Sequence, residues 1–364
     1  MVRALLACGG LDRKIRAVAI PLRIASAVTT WLTFDELLEN ADAFDHLVGG
    51  TPDIDHFCSS SAWALPAQRV FCPEAEPWIT TTDAGVIALM AMPMGDGRVE
   101  AMPLESGWGL AAPFAARDPE VVAEQLFRMW AESPIRIDAV HLSGLRYRGV
   151  WMDAVAIRFH ATHQLGVWGG CERRITQLNG GAEGYLSRRS SKFRANLRRA
   201  VRKAERTGLG YEYVTDGDPD AIYARIQSVE GKCWKSDEGA GIDDGLTRDF
   251  YAEIITRLLQ RGALRALFVQ HEGADIAYVF GGLWRNLYRG LQLSHRVDMA
   301  RFSPGNLAQW ALIQRLIDEG ITVYDLGTEM PYKRRWAEAS FRTVSFSLFP
   351  RDAAHFPLDV GDDE

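Results

Sequence analysis

Four stretches of this 364-residue chain carry side chains whose types and spacing could act on an anionic or activated ligand. The first is Arg301-Phe302-Ser303-Pro304-Gly305-Asn306, between a predicted strand and a predicted helix. A helix N-terminus presents backbone N–H groups without intrahelical partners and the positive end of the helix dipole. Ser303 suits the cap, Pro304 the first turn, and Gly305 the close approach of a phosphate or carbonyl, with Arg301 and Asn306 alongside. The same residues also make a well-capped helix that binds nothing.

The second stretch is Asp325-Leu326-Gly327, followed by Tyr332-Lys333-Arg334-Arg335-Trp336. A strand that ends on glycine, with a cation and aromatics arriving at its C-terminal end, resembles the ligand edge of an open α/β sheet. There Lys333 can hold a phosphate or an oxyanion, and Tyr332 can exchange a proton, with Asp325 and Trp336 shaping a substrate site. The alternative is a surface lysine and a core tryptophan. The third stretch ends a predicted helix with Glu230, Trp234 and Lys235. Here Glu230 is a candidate base and the other two are candidate substrate contacts, although a solvated carboxylate and a core indole are equally compatible with the pattern. The fourth is a run of cations from Arg188 to Arg206 in which Glu205 is the opposing charge. Arg194, Arg198 and Arg202 follow at i, i+4 on one helical face, where stacked like charges cost stability unless an anion neutralises them. Arg198 and Arg202 are therefore candidate contacts to the phosphates of a donor, to a tRNA or to an acidic carrier protein; a solvated face is the alternative.

Composition limits the rest. The formal net charge of −6 argues against a general DNA binder, so any anion site is local. Five scattered cysteines without a C-x-x-C suit a reducing cytosol and give no zinc site. His160 and His163 lack further ligands at metal spacing, and no metal is expected. Charges interrupt every apolar run near the start, so neither a signal peptide nor a membrane span is predicted, and the chain reads as cytoplasmic.

The elements that must position these residues follow from periodicity. Helices are predicted over 33–47, 120–131, 185–207, 219–234, 246–261 and 304–319. Strands are predicted within 78–92 around a turn at Asp83-Ala84-Gly85, over 136–142 and 150–159, then 211–215, 264–271, 274–284, 286–294, 321–326 and 341–349. The predicted class is α/β (α+β), with mixed, mostly antiparallel sheets flanked by helices. The expected division is a leader over 1–25, an N-terminal half over 26–180, a second domain over 181–350 and a tail over 351–364. At this length two domains are the ordinary outcome.

Taken in order, Ser191-Lys192-Phe193-Arg194, Leu197-Arg198-Arg199, Glu230 with Trp234-Lys235, Ser303-Pro304-Gly305, Asp325-Leu326-Gly327 and Tyr332-Lys333 with Trp336 resemble the GNAT domain of bacterial acetyltransferases involved in cellulose biosynthesis. That family is related to the Fem-type peptidyltransferases. The resemblance covers about residues 185–349 and implies two GNAT-like halves, the first degenerate. It also implies an acyltransferase that moves an acyl group from acyl-CoA, or from an acyl carrier protein, to an amine by direct attack. In this reading the donor lies at Arg301, Ser303, Gly305 and Asn306, and Lys333 stands in the lysine position of the Fem aromatic–lysine pair. The acceptor is a small-molecule, carbohydrate or peptide amine. The junction at 301–306 departs from the usual GNAT pyrophosphate signature in offering one glycine rather than two. An aminoacyl-tRNA donor, or a GNAT-like fold that binds without catalysis, therefore stands as an alternative.

Overall fold

The computed structural model describes residues 29–233, 242 and 245–352. The first half runs β1 (Thr30–Leu32), α1 (Phe34–Glu39), α2 (Ala41–Val48), α3 (Ser61–Phe71), β2 (Glu76–Thr82), β3 (Gly85–Pro93), β4 (Val99–Pro103), β5 (Phe114–Ala116), α4 (Pro119–Ala131), β6 (Ala139–Arg146), α5 (Val150–Phe159) and β7 (His163–Gln177). The second runs α6 (Gly181–Ser187), α7 (Ser191–Arg206), β8 (Gly210–Val214), α8 (Pro219–Glu230), α9 (Gly245–Gln260), β9 (Leu264–His271), β10 (Ala274–Trp284), β11 (Leu287–His295), α10 (Pro304–Asp318), β12 (Val323–Thr328) and β13 (Ala339–Pro350).

Among the described residues thirteen strands form one mixed sheet, in the order β1-β2-β3-β4-β6-β13-β7-β12-β11-β10-β9-β8, with β5 paired to β3 off this path. The same construction appears twice. A three-stranded antiparallel meander, β2-β3-β4 or β9-β10-β11, leads into one helix, α4 or α10. The chain then returns as a strand parallel to the meander's last: β6 beside β4, β12 beside β11. The final strands are exchanged. β7, from the first half, pairs with β12 of the second, and β13, from the second, pairs with β6 of the first. β7 and β13 pair with each other along most of their lengths, so the two halves are stitched through the middle of one sheet.

Each parallel pair is short, and this positions the site. β11 and β12 are in register only from Leu287↔Val323 to Arg289↔Asp325, after which their pairing ends. β4 and β6 pair only at Glu100↔Ala139 and Ala101↔Val140. In the first half the adjoining space is filled by the chain itself. Ser143 Oγ donates to Ala111 O, and a Cβ on Gly144 would lie 2.3 Å from Leu110 O. In the second half the equivalent gap opens into a cavity.

Local sequence explains most elements. Asp118 and Asp218 cap α4 and α8, each followed by proline in the first turn. The predicted helix 33–47 divides at Asn40, with a capping box from Thr33 and Glu36. The predicted helix 185–207 divides before Ser190, whose hydroxyl accepts from Phe193 N and starts α7. Residues 150–159, predicted as a strand, form α5. The buried residues Trp151, Ala154, Val155 and Phe159 are spaced by three and four, with an apolar run between them that hides the helical period. Helix α3 and the fifteen-residue strand β7 are not in the sequence-based prediction.

Candidate active site

The cavity, of about 770 Å³, lies where β11 and β12 part. Gly290 to His295 form one wall, and Gly327, Thr328, Tyr332, Lys333 and Trp336 form another. The first turn of α10, with Ser303, Gly305 and Asn306, closes it on one face of the sheet. Trp63, Trp108, Leu110 and Tyr251 close it on the other.

The helix terminus differs from its expected form in one respect. Ser303 adopts a left-handed conformation, φ 55° and ψ 45°, and its side chain does not cap α10. Instead its carbonyl accepts from Asn306 N and Leu307 N. Pro304 has no N–H to offer, and the Gly305 N–H has no partner among the described residues. A Cβ at Gly305 would meet His295 Nδ1 at 3.3 Å and Leu293 at 3.4 Å, so glycine keeps this space open.

Lys333 and Tyr332 both reach the cavity. The Lys333 ammonium donates to Thr328 O at 2.8 Å, tying the loop back onto the end of β12. Burial pushes the Tyr332 hydroxyl up to about 12, so at neutral pH it is a donor. Trp336 is buried, meets Phe193 of α7 edge-on at 4.9 Å, and its carbonyl accepts from Tyr185.

Asp325 is placed behind the cavity wall and not on it. It is buried, with one oxygen accepting from Gly327 N at 2.8 Å and the other paired with Arg289 at 2.7 Å and Arg173 at 3.2 Å. Asp55, from the first half, is also paired with Arg173 and lies 3.7 Å from Arg289. The four buried charges balance, and the two arginines hold the Asp55 carboxyl below its usual range against the opposing effect of burial. Arg289 is the member of this quartet that reaches the cavity.

Glu230 does not join the others. It is fully buried at the end of α8, where it accepts from Tyr278 and from Cys233 Sγ at 3.6 Å, and it is not among the residues lining the cavity. The sequence shows its helix-end position; the fold turns it into the core between α8 and β10. Trp234 and Lys235 lie outside the described residues.

The basic helix supplies a different face from the one predicted. A second cleft adjoins the cavity, sharing Ser303, Asn306 and Trp336 with it. Its cations are Lys192, Arg199 and Lys203 from α7, Arg301 beside α10, and Arg335. Arg198 and Arg202 are exposed and do not line it. The reason is packing: Leu197 and Ala204 are buried, and Phe193, Ala200 and Val201 pack beside them. That puts Lys192, Arg199 and Lys203 on the flank facing the cleft and Arg198 and Arg202 on the other. None of these five cleft cations forms an ion pair with an acidic side chain among the described residues.

Sequence reasoning missed the cavity residues Trp63, Trp108, Arg289, Ser294 and His295. Arg289 alone had a signal, a charge inside the otherwise uncharged strand run Leu287–Ser294. Among the described residues no group of three or more His, Cys, Asp and Glu is arranged to hold a metal ion. No described helix is long and apolar enough to cross a membrane.

A mixed sheet whose parallel strands part beside a helix N-terminus is the arrangement of a GNAT-type fold. The Acetyltransferase (GNAT) domain family model matches residues 191–334. Likeness to solved structures extends further. The crystal structure of FemX superposes with a TM-score of 0.63 at 10% identity, covering 87% of this chain and 96% of that one. A conserved protein of unknown function from Bacteroides thetaiotaomicron gives 0.59 at 11% identity, covering 88% and 99%. The L-PGS structure from Bacillus licheniformis gives 0.54 at 14% identity, covering 87% and 92%. These matches speak for the fold of the whole chain. No curated protein sequence matches it.

Proposed function

We propose that this protein transfers an acyl group from acyl-CoA to an amine by direct attack, at the cavity between β11 and β12. The observation that carries the reading is the continuity of that cavity with a cleft of five cations across the N-terminus of α10. Phosphates of the donor lie against Lys192, Arg199, Lys203, Arg301 and Arg335, where charge-assisted hydrogen bonds are strongest. The thioester passes Gly305, whose missing side chain leaves room and whose N–H points from a helix terminus.

The amine approaches from the face of Trp63 and Tyr251. Its nitrogen bonds to the thioester carbon, and the carbonyl electron pair moves onto oxygen. Lys333 stabilises that oxyanion. When the oxyanion collapses the C–S bond breaks, and Tyr332 donates a hydrogen bond to the departing thiolate, which takes its proton from solvent. His295, on the cavity wall, accepts the proton lost by the attacking nitrogen. Glu230 has no part in this, since it does not reach the cavity. Arg198, Arg202 and Arg206 extend the positive surface beyond the cleft. They favour, as a second reading, a larger anionic donor such as an acyl carrier protein or aminoacyl-tRNA.

The test is thioester cleavage, followed by released thiol, for a panel of acyl-CoAs with amine acceptors. Wild type cleaves at least one donor in an amine-dependent manner. Lys333→Ala lowers kcat by about 10²-fold or more, as loss of an oxyanion donor does elsewhere. Absent cleavage with every acyl-CoA would remove acyl-CoA as the donor, and cleavage independent of amine would remove the amine as acceptor.

A further inference from the structure

The first half of the chain contributes a wall to the cavity that the donor reading leaves unexplained. Trp63, from α3, and Trp108 and Leu110, from the loop after β4, close the face opposite α10. Trp108 stacks at an angle on Trp63, with ring centroids 5.2 Å apart, and meets Phe250 edge-on at 4.8 Å. Phe71 meets it edge-on at 5.2 Å, and it remains 39% exposed, so part of the indole is open to a ligand.

A single carboxylate builds this wall. Glu105 is buried and accepts from Trp63 Nε1 at 2.8 Å, from Ala111 N at 2.7 Å and from Leu110 N. The loop can fold back onto it because Gly109 takes a left-handed conformation, φ 69°. Glu105 thus fixes the residues on both sides of Trp108 without entering the cavity itself.

Among the described residues, the polar groups on this side are uncharged or already matched. Arg289 is held by Asp325 and Asp55. Tyr251 accepts from Gln292 at 2.8 Å, and burial raises its hydroxyl to about 12, so it is neutral. Ser294 lines the cavity, is 2% exposed, and its hydroxyl has no hydrogen-bond partner among the described residues. A buried hydroxyl left unpaired costs free energy that a ligand's polar atom would recover.

We infer that Trp63, Trp108 and Ser294 form a subsite for an uncharged ring carried by the acceptor, with the ring against the indoles and a hydroxyl or ether oxygen on its edge bonded to Ser294. This deepens the function proposed above and rests on it for the word acceptor. Aromatic faces favour flat or CH-rich rings, and a charged substituent would meet no unmatched counter-ion among the described residues of this wall. An aryl ring and a sugar ring share this chemistry.

Ligand-observed saturation-transfer NMR on the full chain separates them, using phenol, methyl β-D-glucopyranoside, benzoate and 1-butanol. At least one of the first two binds, and the glucoside or phenol signal identifies the source. Trp108→Ala, at a part-exposed position, weakens that binding about fivefold or more, the equivalent of losing one aromatic contact. Ser294→Ala weakens it as well, while acetyl-CoA still stabilises both variants because its contacts lie on the other face. The inference fails if neither ring probe binds, if benzoate or butanol binds as well as they do, or if Trp108→Ala changes nothing. Ring binding without any acetyl-CoA binding would leave this subsite standing and remove the donor reading instead.

Discussion

Replacing Glu105 with glutamine should change how the stability of this protein depends on pH. The Glu105 carboxyl is pushed from 4.5 to about 7, mainly by burial, with nearby Asp55 adding to the rise and the three N–H donors opposing it. In the unfolded chain the group ionises near its ordinary value. Between these two values the unfolded state has released the proton and the folded state has kept it. Stability from this group is therefore complete below about pH 4.5 and is lost as pH rises to about 7. At about 1.4 kcal/mol per pH unit the full loss is about 3 kcal/mol. Glutamine cannot titrate, and with its single oxygen on Leu110 N and Ala111 N its NH2 group would face the Trp63 N–H, so Glu105→Gln is less stable at low pH but lacks this slope. Urea unfolding of both proteins from pH 5.5 to 8 checks the reasoning. The wild-type advantage over Glu105→Gln should shrink by about 2 kcal/mol across that range. A constant difference, or one that grows with pH, would refute the account of Glu105.

The buried quartet makes a second prediction. Asp55→Ala leaves Arg173 and Arg289 facing Asp325 alone, an uncompensated buried charge that should cost about 3–5 kcal/mol in urea unfolding. Adding Arg173→Met should recover part of that loss, whereas a loss under about 1 kcal/mol for Asp55→Ala would mean that the quartet does not hold the halves together. The placement of Glu230 is tested by Glu230→Gln, which preserves an acceptor for Tyr278. Turnover should change little, and a fall of about 10²-fold or more would return Glu230 to the reaction as a base.

The second half was the more legible in sequence because its elements alternate cleanly with turn residues. The meander over 264–294 and helix α10 lie where the apolar pattern and the Glu272-Gly273 and Gly320 breaks place them. The tyrosine–lysine pair and the 301–306 junction were legible as motifs, and the fold brings both to one cavity. The exchange of β7 and β13 was not legible, since pairing partners far apart in sequence leave no local signal. The same holds for Trp63 and Trp108, whose place on the cavity wall comes from tertiary packing alone. The flank of α7 that borders the cleft was not legible for a related reason. Its charge stripe at i, i+4 shows which residues share a face, while Leu197 and Ala204 decide which face turns inward.

The donor cleft is tested most directly by isothermal titration of acetyl-CoA into wild type and two double variants of α7. Arg199→Ala with Lys203→Ala removes two cations from the cleft, and Arg198→Ala with Arg202→Ala removes two from the opposite flank. Hydrogen bonds to charged groups contribute about 1.5–3 kcal/mol each, so the first pair should weaken binding at least about tenfold. The second pair should leave affinity near that of wild type. Equal affinities in all three proteins, or greater loss from Arg198 and Arg202, would contradict the placement of the donor phosphates between α7 and the start of α10.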